Sequence, residues 1–199
     1  MSLFVVISSP TGGGKDTLIS ELLKIMPNSG RLVTTTSRIP RPTDKPGIAY
    51  NFISHEDFEN KIKEGYFLEY NNFAGNYYGT PKIHLAENLE KYDCVLSNLD
   101  VNGKHSLNKM NVPHLSIFLL PENLDILRRR AEVRGGITKE MIDQRLEIAG
   151  QEITQSKDYD YQIVNYEGRL SETVTKVAEI IRNALITQED LDVGLTKNG

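Results

Sequence analysis

The chain has 199 residues, with 23 Lys and Arg against 27 Asp and Glu, a net charge of −4, and 39% hydrophobic and 25% charged residues. That length suits a single domain of typical size and buries roughly 70% of the unfolded surface, so a core needs no metal or disulfide staple. The acidic balance argues against a general nucleic-acid partner. No apolar stretch approaches the ~20 residues of a membrane span, and the opening residues lack the basic region of a secretory signal. The single cysteine, Cys94, excludes an internal disulfide and fits a cytoplasmic setting. The histidines at 55, 84, 105 and 114 show no metal-ligand spacing, so no structural metal site is expected.

Leu3–Ser8 is a short, β-branched, nearly all-apolar run, the pattern of a buried parallel strand. The glycine loop from Ser9 to Gly14 follows. Lys15–Met26 then carries apolar residues at helical spacing, until Pro27, Asn28 and Gly30 stop it. Residues 34–80 break the rhythm. Arg38-Ile39-Pro40-Arg41-Pro42 excludes helix, Ala49–Ile53 and Phe67–Tyr78 read as short aromatic strands, and Ser54-His55-Glu56-Asp57 opens a helix through Lys63. This stretch reads as an inserted α+β subdomain.

Beyond it, helix is expected over Pro81–Lys91, strand over Cys94–Leu99 and Leu115–Leu120, helix over Glu122–Arg134 and Thr138–Gln155, strand over Tyr161–Asn165 and helix over Leu170–Leu185. Strands alternating with helices predict an α/β fold, a parallel sheet covered on both faces. Residues 187–199 are polar and acidic and are expected to form a loose tail.

A phosphate-binding P-loop reads G-x-x-x-x-G-K-[S/T] between a strand and a helix. Its backbone N–H groups and the helix N-terminus hold phosphates, and its lysine reaches the β/γ oxygens. Here the stretch is Ser9-Pro10-Thr11-Gly12-Gly13-Gly14-Lys15-Asp16-Thr17. Ser9 replaces the first glycine, and Asp16 replaces the hydroxyl residue that holds Mg²⁺. An acid there fits the helix dipole, and it is also a candidate magnesium ligand.

Taken with motifs further along, the chain resembles the guanylate kinases, which transfer phosphoryl from ATP to GMP. The resemblance covers about residues 3–185. It rests on Ser37-Arg38-Ile39-Pro40-Arg41, Ala49-Tyr50-Asn51-Phe52, Phe67-Leu68-Glu69-Tyr70 and Gly75-Asn76-Tyr77-Tyr78-Gly79-Thr80. Leu99-Asp100-Val101-Asn102-Gly103, Arg130, Arg134, Arg145 and Ile163-Val164-Asn165 add to it. It implies one domain over 1–186. The P-loop core would span 1–33, 81–125 and 156–186, with a GMP-binding subdomain over 34–80 and a helical lid over 126–155.

The resemblance also implies roles. Arg38 and Arg41 would clamp the GMP phosphate, as planar guanidinium groups suit phosphate oxygens, and Tyr50 and Tyr78 would add hydroxyl donors. Glu69 would accept from guanine N1–H and N2–H₂ together, which adenine cannot offer, beside Thr34, Thr80 and Asp100. Pro10 to Thr17, Arg130 and Asn165 would hold ATP. Lys15, Arg41, Arg134 and Arg145 would stabilise the transferring phosphoryl group. Mg²⁺ would accompany ATP. The implied setting is purine nucleotide metabolism in the cytoplasm, as a monomer or homodimer, with no nucleic-acid or membrane partner.

Two departures stand out. The family commonly has an acid at the position of Asn98, so one carboxylate is missing at the strand end and one has appeared at Asp16. These changes are expected to be coupled, with Asp16 replacing the lost acid around Mg²⁺. Gly-Lys-Asp-Thr with Asn98 also resembles the ribose 1,5-bisphosphate phosphokinases, though Glu69 and the Arg-Tyr cluster favour GMP. A non-catalytic guanylate-kinase-like interaction module is the third reading, disfavoured by Lys15 and the lid arginines. The acidic average conceals two basic segments: 31–45 carries four basic groups and one acid, as does 126–136.

Overall fold

The fold is that of a computed structural model. It describes residues 2–41, 44–136 and 138–196, including their side chains apart from Arg134 and 188–196. Five parallel strands form the main sheet: β1 (Leu3–Ser8), β2 (Ser29–Arg31), β7 (Cys94–Ser97), β8 (Leu115–Pro121) and β9 (Tyr161–Asn165), in the order β2-β7-β1-β8-β9. β1 is central and buried on both faces, which is why its sequence is a continuous apolar run rather than an alternating one.

Pleating divides that run between two cores. Leu3, Val5 and Ile7 pack with Leu18, Ile19 and Leu22 of α1 (Lys15–Ile25) and with Val177, Ala178 and Ile181 of α7 (Leu170–Thr196). Phe4 and Val6 face the other way, toward Leu85 of α3 (Lys82–Lys91) and Leu107 of α4 (Val101–Lys109). Helices therefore cover both faces, as the alternating pattern predicts.

The inserted segment folds into a second sheet. Its strands β3 (Thr34–Thr36), β4 (Tyr50–Phe52), β5 (Phe67–Phe73) and β6 (Asn76–Pro81) lie in the order β4-β3-β6-β5. Phe58 of α2 (His55–Lys63) stacks between Phe67 and Tyr77, with ring centroids at 4.3 and 5.1 Å. Ser54 caps α2, its hydroxyl accepting from the Asp57 amide at 3.0 Å while donating to the Asp57 carboxylate at 2.7 Å. The helix start expected here is present, but only half of a capping box forms: the Asp57 carboxylate accepts from the Ser54 hydroxyl rather than from its amide. A helical hairpin, α5 (Leu124–Arg134) and α6 (Lys139–Gln155), is tied by an Arg128–Asp143 ion pair at 2.7 Å.

Several sequence expectations are corrected. β2, β3 and α4 were not expected. β2 and β3 are three-residue strands too short to show a period, and α4 contains Gly103 and few apolar residues. Its start is set by Asp100, whose carboxylate accepts from the Gly103 amide at 2.7 Å. The strand from Cys94 ends at Ser97, not Leu99. α7 continues through Thr196, into the segment expected to be a loose tail, because no proline interrupts it after Leu170. Residues 197–199 of that segment lie outside the described residues.

Candidate active site

A cleft of about 1420 Å³ runs along the carboxyl ends of the parallel strands, bordered by the second sheet and the α5–α6 hairpin. Open parallel sheets bind ligands at this edge. The cleft exceeds the roughly 300–1,000 Å³ of a single small-molecule site.

The glycine loop leaves β1 and enters α1 here. Gly12 and Gly14 take left-handed φ values of 89° and 96°, which other residues adopt only under strain. The Gly13 amide donates to Pro10 O at 2.8 Å, closing the turn. No side chain caps the N-terminus of α1, so its first N–H groups face the cleft beside Lys15. The loop is buttressed by side chains that themselves line the cleft. Arg130 donates to Gly12 O at 2.9 Å and Asn165 to Gly13 O at 3.1 Å, while Thr173 donates to Asn165 Oδ1 at 3.0 Å. Both ends of the Asn165 amide are thus committed to holding the loop.

Across the cleft lie Arg38, Arg41, Tyr50 and Tyr78. The Arg38 guanidinium sits 5.7 Å from the Tyr50 ring centroid, and the Tyr50 and Tyr78 rings meet at 6.0 Å. Asp44, a residue the sequence reading missed, organises the pair. It accepts from Arg38 Nη2 at 2.8 Å and from the Arg41 amide at 2.7 Å. Burial alone would raise its carboxyl, but the Arg41 amide and the Arg38 guanidinium outweigh that and hold it below its ordinary value. It is the only acid within the basic segment 31–45, and that was a readable signal.

Glu69 lies deeper and is 6% exposed. The Thr80 hydroxyl donates to its Oε1 at 2.6 Å. Burial pushes its carboxyl up to about 7, against the Thr80 hydrogen bond and with the added repulsion of Asp100. Asp100 is fixed by the Gly103 amide and by Asn71 Nδ2 at 2.8 Å. Asn71 was also missed, although its place two residues after Glu69 on one strand face marks it. Thr34 is buried on β3, its hydroxyl 3.5 Å from Ala49 O.

Arg145 of α6 reaches the same cleft. Burial, and then the positive charge of Arg41, depresses its pKa. Two guanidinium groups facing each other across open space make a site for an anion. Glu152, further along α6, is pushed up to about 7 by burial and Asp100, against the pull of Lys15. Nothing in its helical surroundings singled it out in the sequence. Arg134 ends α5, and its side chain lies outside the described residues. Arg129, also on α5, pairs with Glu167 at the cleft edge.

Asp16 and Asn98, the two departures, touch. Asn98 Nδ2 donates to Asp16 Oδ1 at 2.9 Å and to the Tyr50 hydroxyl at 2.9 Å. Arg31, at the end of β2 and nearly buried, also donates to Asp16 Oδ1. The contact follows from topology: β2, β7 and β1 are adjacent, so their carboxyl ends bring Arg31, Asn98 and Asp16 together.

Comparison with known proteins places the chain in a family. The guanylate kinase family model matches residues 1–184. A guanylate kinase of Rickettsia bellii is 36% identical over 179 residues, covering 90% of this chain and 93% of its own. One of Clostridioides difficile is 40% identical over 169 residues, covering 85% and 82%. The crystal structure of guanylate kinase from Anaplasma phagocytophilum aligns with a TM-score of 0.75 at 30% identity, over 92% of this chain and 86% of its own. Family model, relatives and fold agree over nearly the whole length, and the chain belongs to the guanylate kinase family.

Proposed function

We propose that this chain, an ATP-dependent nucleoside monophosphate kinase, transfers the γ-phosphoryl group of ATP to GMP, and by the same contacts to dGMP, giving ADP and GDP. The observation that carries the acceptor's identity is Glu69. It is a buried carboxylate held by the Thr80 hydroxyl, facing a cleft that also carries Lys15, Arg38, Arg41 and Arg145. Guanine offers N1–H and N2–H₂ side by side and satisfies such a group. Adenine leaves it unpaired, and a sugar bisphosphate has no base to meet it. The ribose 1,5-bisphosphate reading and the non-catalytic reading are not favoured.

In this reading the glycine loop, Lys15 and Thr17 hold the ATP phosphates, with Arg130 and Asn165 fixing the loop from the cleft wall. Arg38, Arg41, Tyr50 and Tyr78 receive the GMP phosphate, and Glu69, Thr34, Thr80 and Asp100 its base. Arg145 and Arg41 face each other where the transferred group passes, neutralising charge on its equatorial oxygens. Arg134 would join them. The GMP phosphate is already anionic, so no dedicated base is required, and holding two polyanions in line supplies much of the rate. The α5–α6 hairpin acts as the lid that excludes water.

Mg²⁺ fits the oxygen donors available at Asp16, which stands at the head of α1 beside the phosphate loop. Oδ1 is taken by Arg31 and Asn98, leaving Oδ2 for the ion or its water. When bound, the ion would neutralise phosphate charge. The protein would work in the cytoplasm as a monomer or homodimer. No helix among the described residues is long and apolar enough to cross a membrane.

A coupled ADP-release assay with GMP, dGMP, AMP and ribose 1,5-bisphosphate as acceptors tests the reading. GMP and dGMP are expected to support turnover. Faster turnover with AMP or the ribose compound would refute the role of Glu69.

A further inference from the structure

Asn98 is 5% exposed and lies just beyond the end of β7, against Tyr50 of β4. An amide nitrogen carries two hydrogens, and its contacts to Asp16 Oδ1 and the Tyr50 oxygen use both. That orientation has a cause. Turned over, the amide would set its carbonyl oxygen against the Asp16 carboxylate, two acceptors facing one another with no proton between them. Asp16 therefore fixes which end of the amide faces it. Arg31 holds the carboxylate in place from the other side. A trace of the constraint remains, since Asn98 Oδ1 is buried with no hydrogen-bond partner. The amide gives up its acceptor in order to place both donors.

The consequence falls on Tyr50. Its oxygen accepts from Asn98, so its own hydrogen is directed elsewhere. The groups around the ring, Arg38 and Tyr78, are donors to an anion. We propose that Asp16 and Asn98 are positioning residues for the acceptor nucleotide. Acting through the Asn98 amide, a carboxylate in the ATP-side loop sets the Tyr50 hydroxyl as a donor to the acceptor phosphate. An acid at position 98 would do the reverse, taking the Tyr50 hydrogen for itself. The two departures are then coupled by hydrogen-bond polarity as well as by position. This inference rests on Arg38, Arg41, Tyr50 and Tyr78 being the acceptor-phosphate site.

The test is GMP binding to the full chain by calorimetry, without ATP or Mg²⁺, for Tyr50→Phe, Asn98→Leu and the double variant. Melting curves confirm that each is folded. Each single change is expected to weaken GMP binding about tenfold, the scale of one hydrogen bond to a charged group. The double variant is expected to bind no worse than Tyr50→Phe, because no hydroxyl remains to be oriented. ATP affinity should not change. If the two losses multiply, or if ATP binding falls in parallel, Asn98 is merely structural and the inference fails while the site reading stands. If Tyr50→Phe binds GMP as tightly as the parent, the site reading itself is wrong and the inference falls with it. Asn98→Asp keeps the shape and decides the matter if Asn98→Leu does not fold. It is expected to lose at least tenfold in GMP affinity, and unchanged affinity would overturn the inference.

Discussion

Thr80 and Glu69 stand opposite each other on β6 and β5, and the threonine hydroxyl donates to Glu69 Oε1 at 2.6 Å. The pairing places a carboxylate where water does not compensate its charge, and its pKa rises from an ordinary 4.5 to about 7. The ionised form is the one that accepts from guanine. GMP use should therefore fall as the pH drops below about 7, with kcat/KM for GMP approaching a tenfold loss per pH unit while the KM for ATP stays level. A flat GMP profile between pH 6 and 8 would contradict this.

The same residue predicts a trade of stability against function. Because folding raises the pKa, the native state holds the proton more tightly than the unfolded chain, so stability falls as pH rises from 4.5 to about 7. Glu69→Gln removes that dependence. It is expected to stabilise the protein by on the order of 1–3 kcal/mol at pH 8 and by little at pH 4, while turnover with GMP is lost. Thermal melts at both pH values, run beside the kinetic assay, would show whether the two effects separate as stated.

The legibility of the sequence followed the physics of each part. β1 and the glycine loop were readable because a strand buried on both faces and a phosphate-binding turn each demand a narrow choice of residues. β3 was not, since Thr34-Thr35-Thr36 is too short to show a period and owes its pairing to distant Tyr50 and Tyr78. Glu69 and Arg38 could be placed by resemblance, but Asp44 and Asn71 act by holding those residues. Arg31 looked like one charge in a basic segment. Its partnership with Asp16 exists only because three strands lie side by side.

Arg145 depends on a cation opposite it. Burial and the Arg41 charge both penalise its protonated form, and an anion between the two groups offsets both. The relief is greatest when negative charge spreads over the transferring phosphoryl oxygens. Arg145→Ala should lower kcat by about 10²–10³ with a much smaller change in the KM for GMP. A rise in KM at unchanged kcat would instead make Arg145 a ground-state binding residue.

Ser9 narrows the phosphate loop. A methyl group at Gly13 would lie 2.7 Å from Ser9 Cβ and Oγ and 3.0 Å from Pro10 O. Gly13→Ala must therefore open the turn that aims the loop amides, and ATP affinity should drop at least tenfold with GMP affinity retained. Ser9→Gly alone should be tolerated. Combined with Gly13→Ala it should recover part of the lost ATP binding, by removing the side-chain half of the clash. Nucleotide titrations of the three variants would check this, and no recovery in the double variant would place the obstruction at the Pro10 carbonyl.

Arg31 and a metal ion call on the same carboxylate. Arg31 is nearly buried at 7% exposure, whereas Asp16 is 54% exposed, so the ion pair is open to solvent from the Asp16 side. A cation arriving from that side must share Asp16 with a guanidinium that cannot leave. Arg31→Gln keeps a donor near Asp16 but removes the competing charge. It should lower the Mg²⁺ concentration that gives half-maximal rate severalfold, by relieving like-charge repulsion that partial solvation holds to about 1 kcal/mol. Asp16→Asn should shift the same titration the opposite way. Equal Mg²⁺ requirements in the parent and both variants would remove Asp16 from the metal's surroundings and leave it the single task of orienting Asn98.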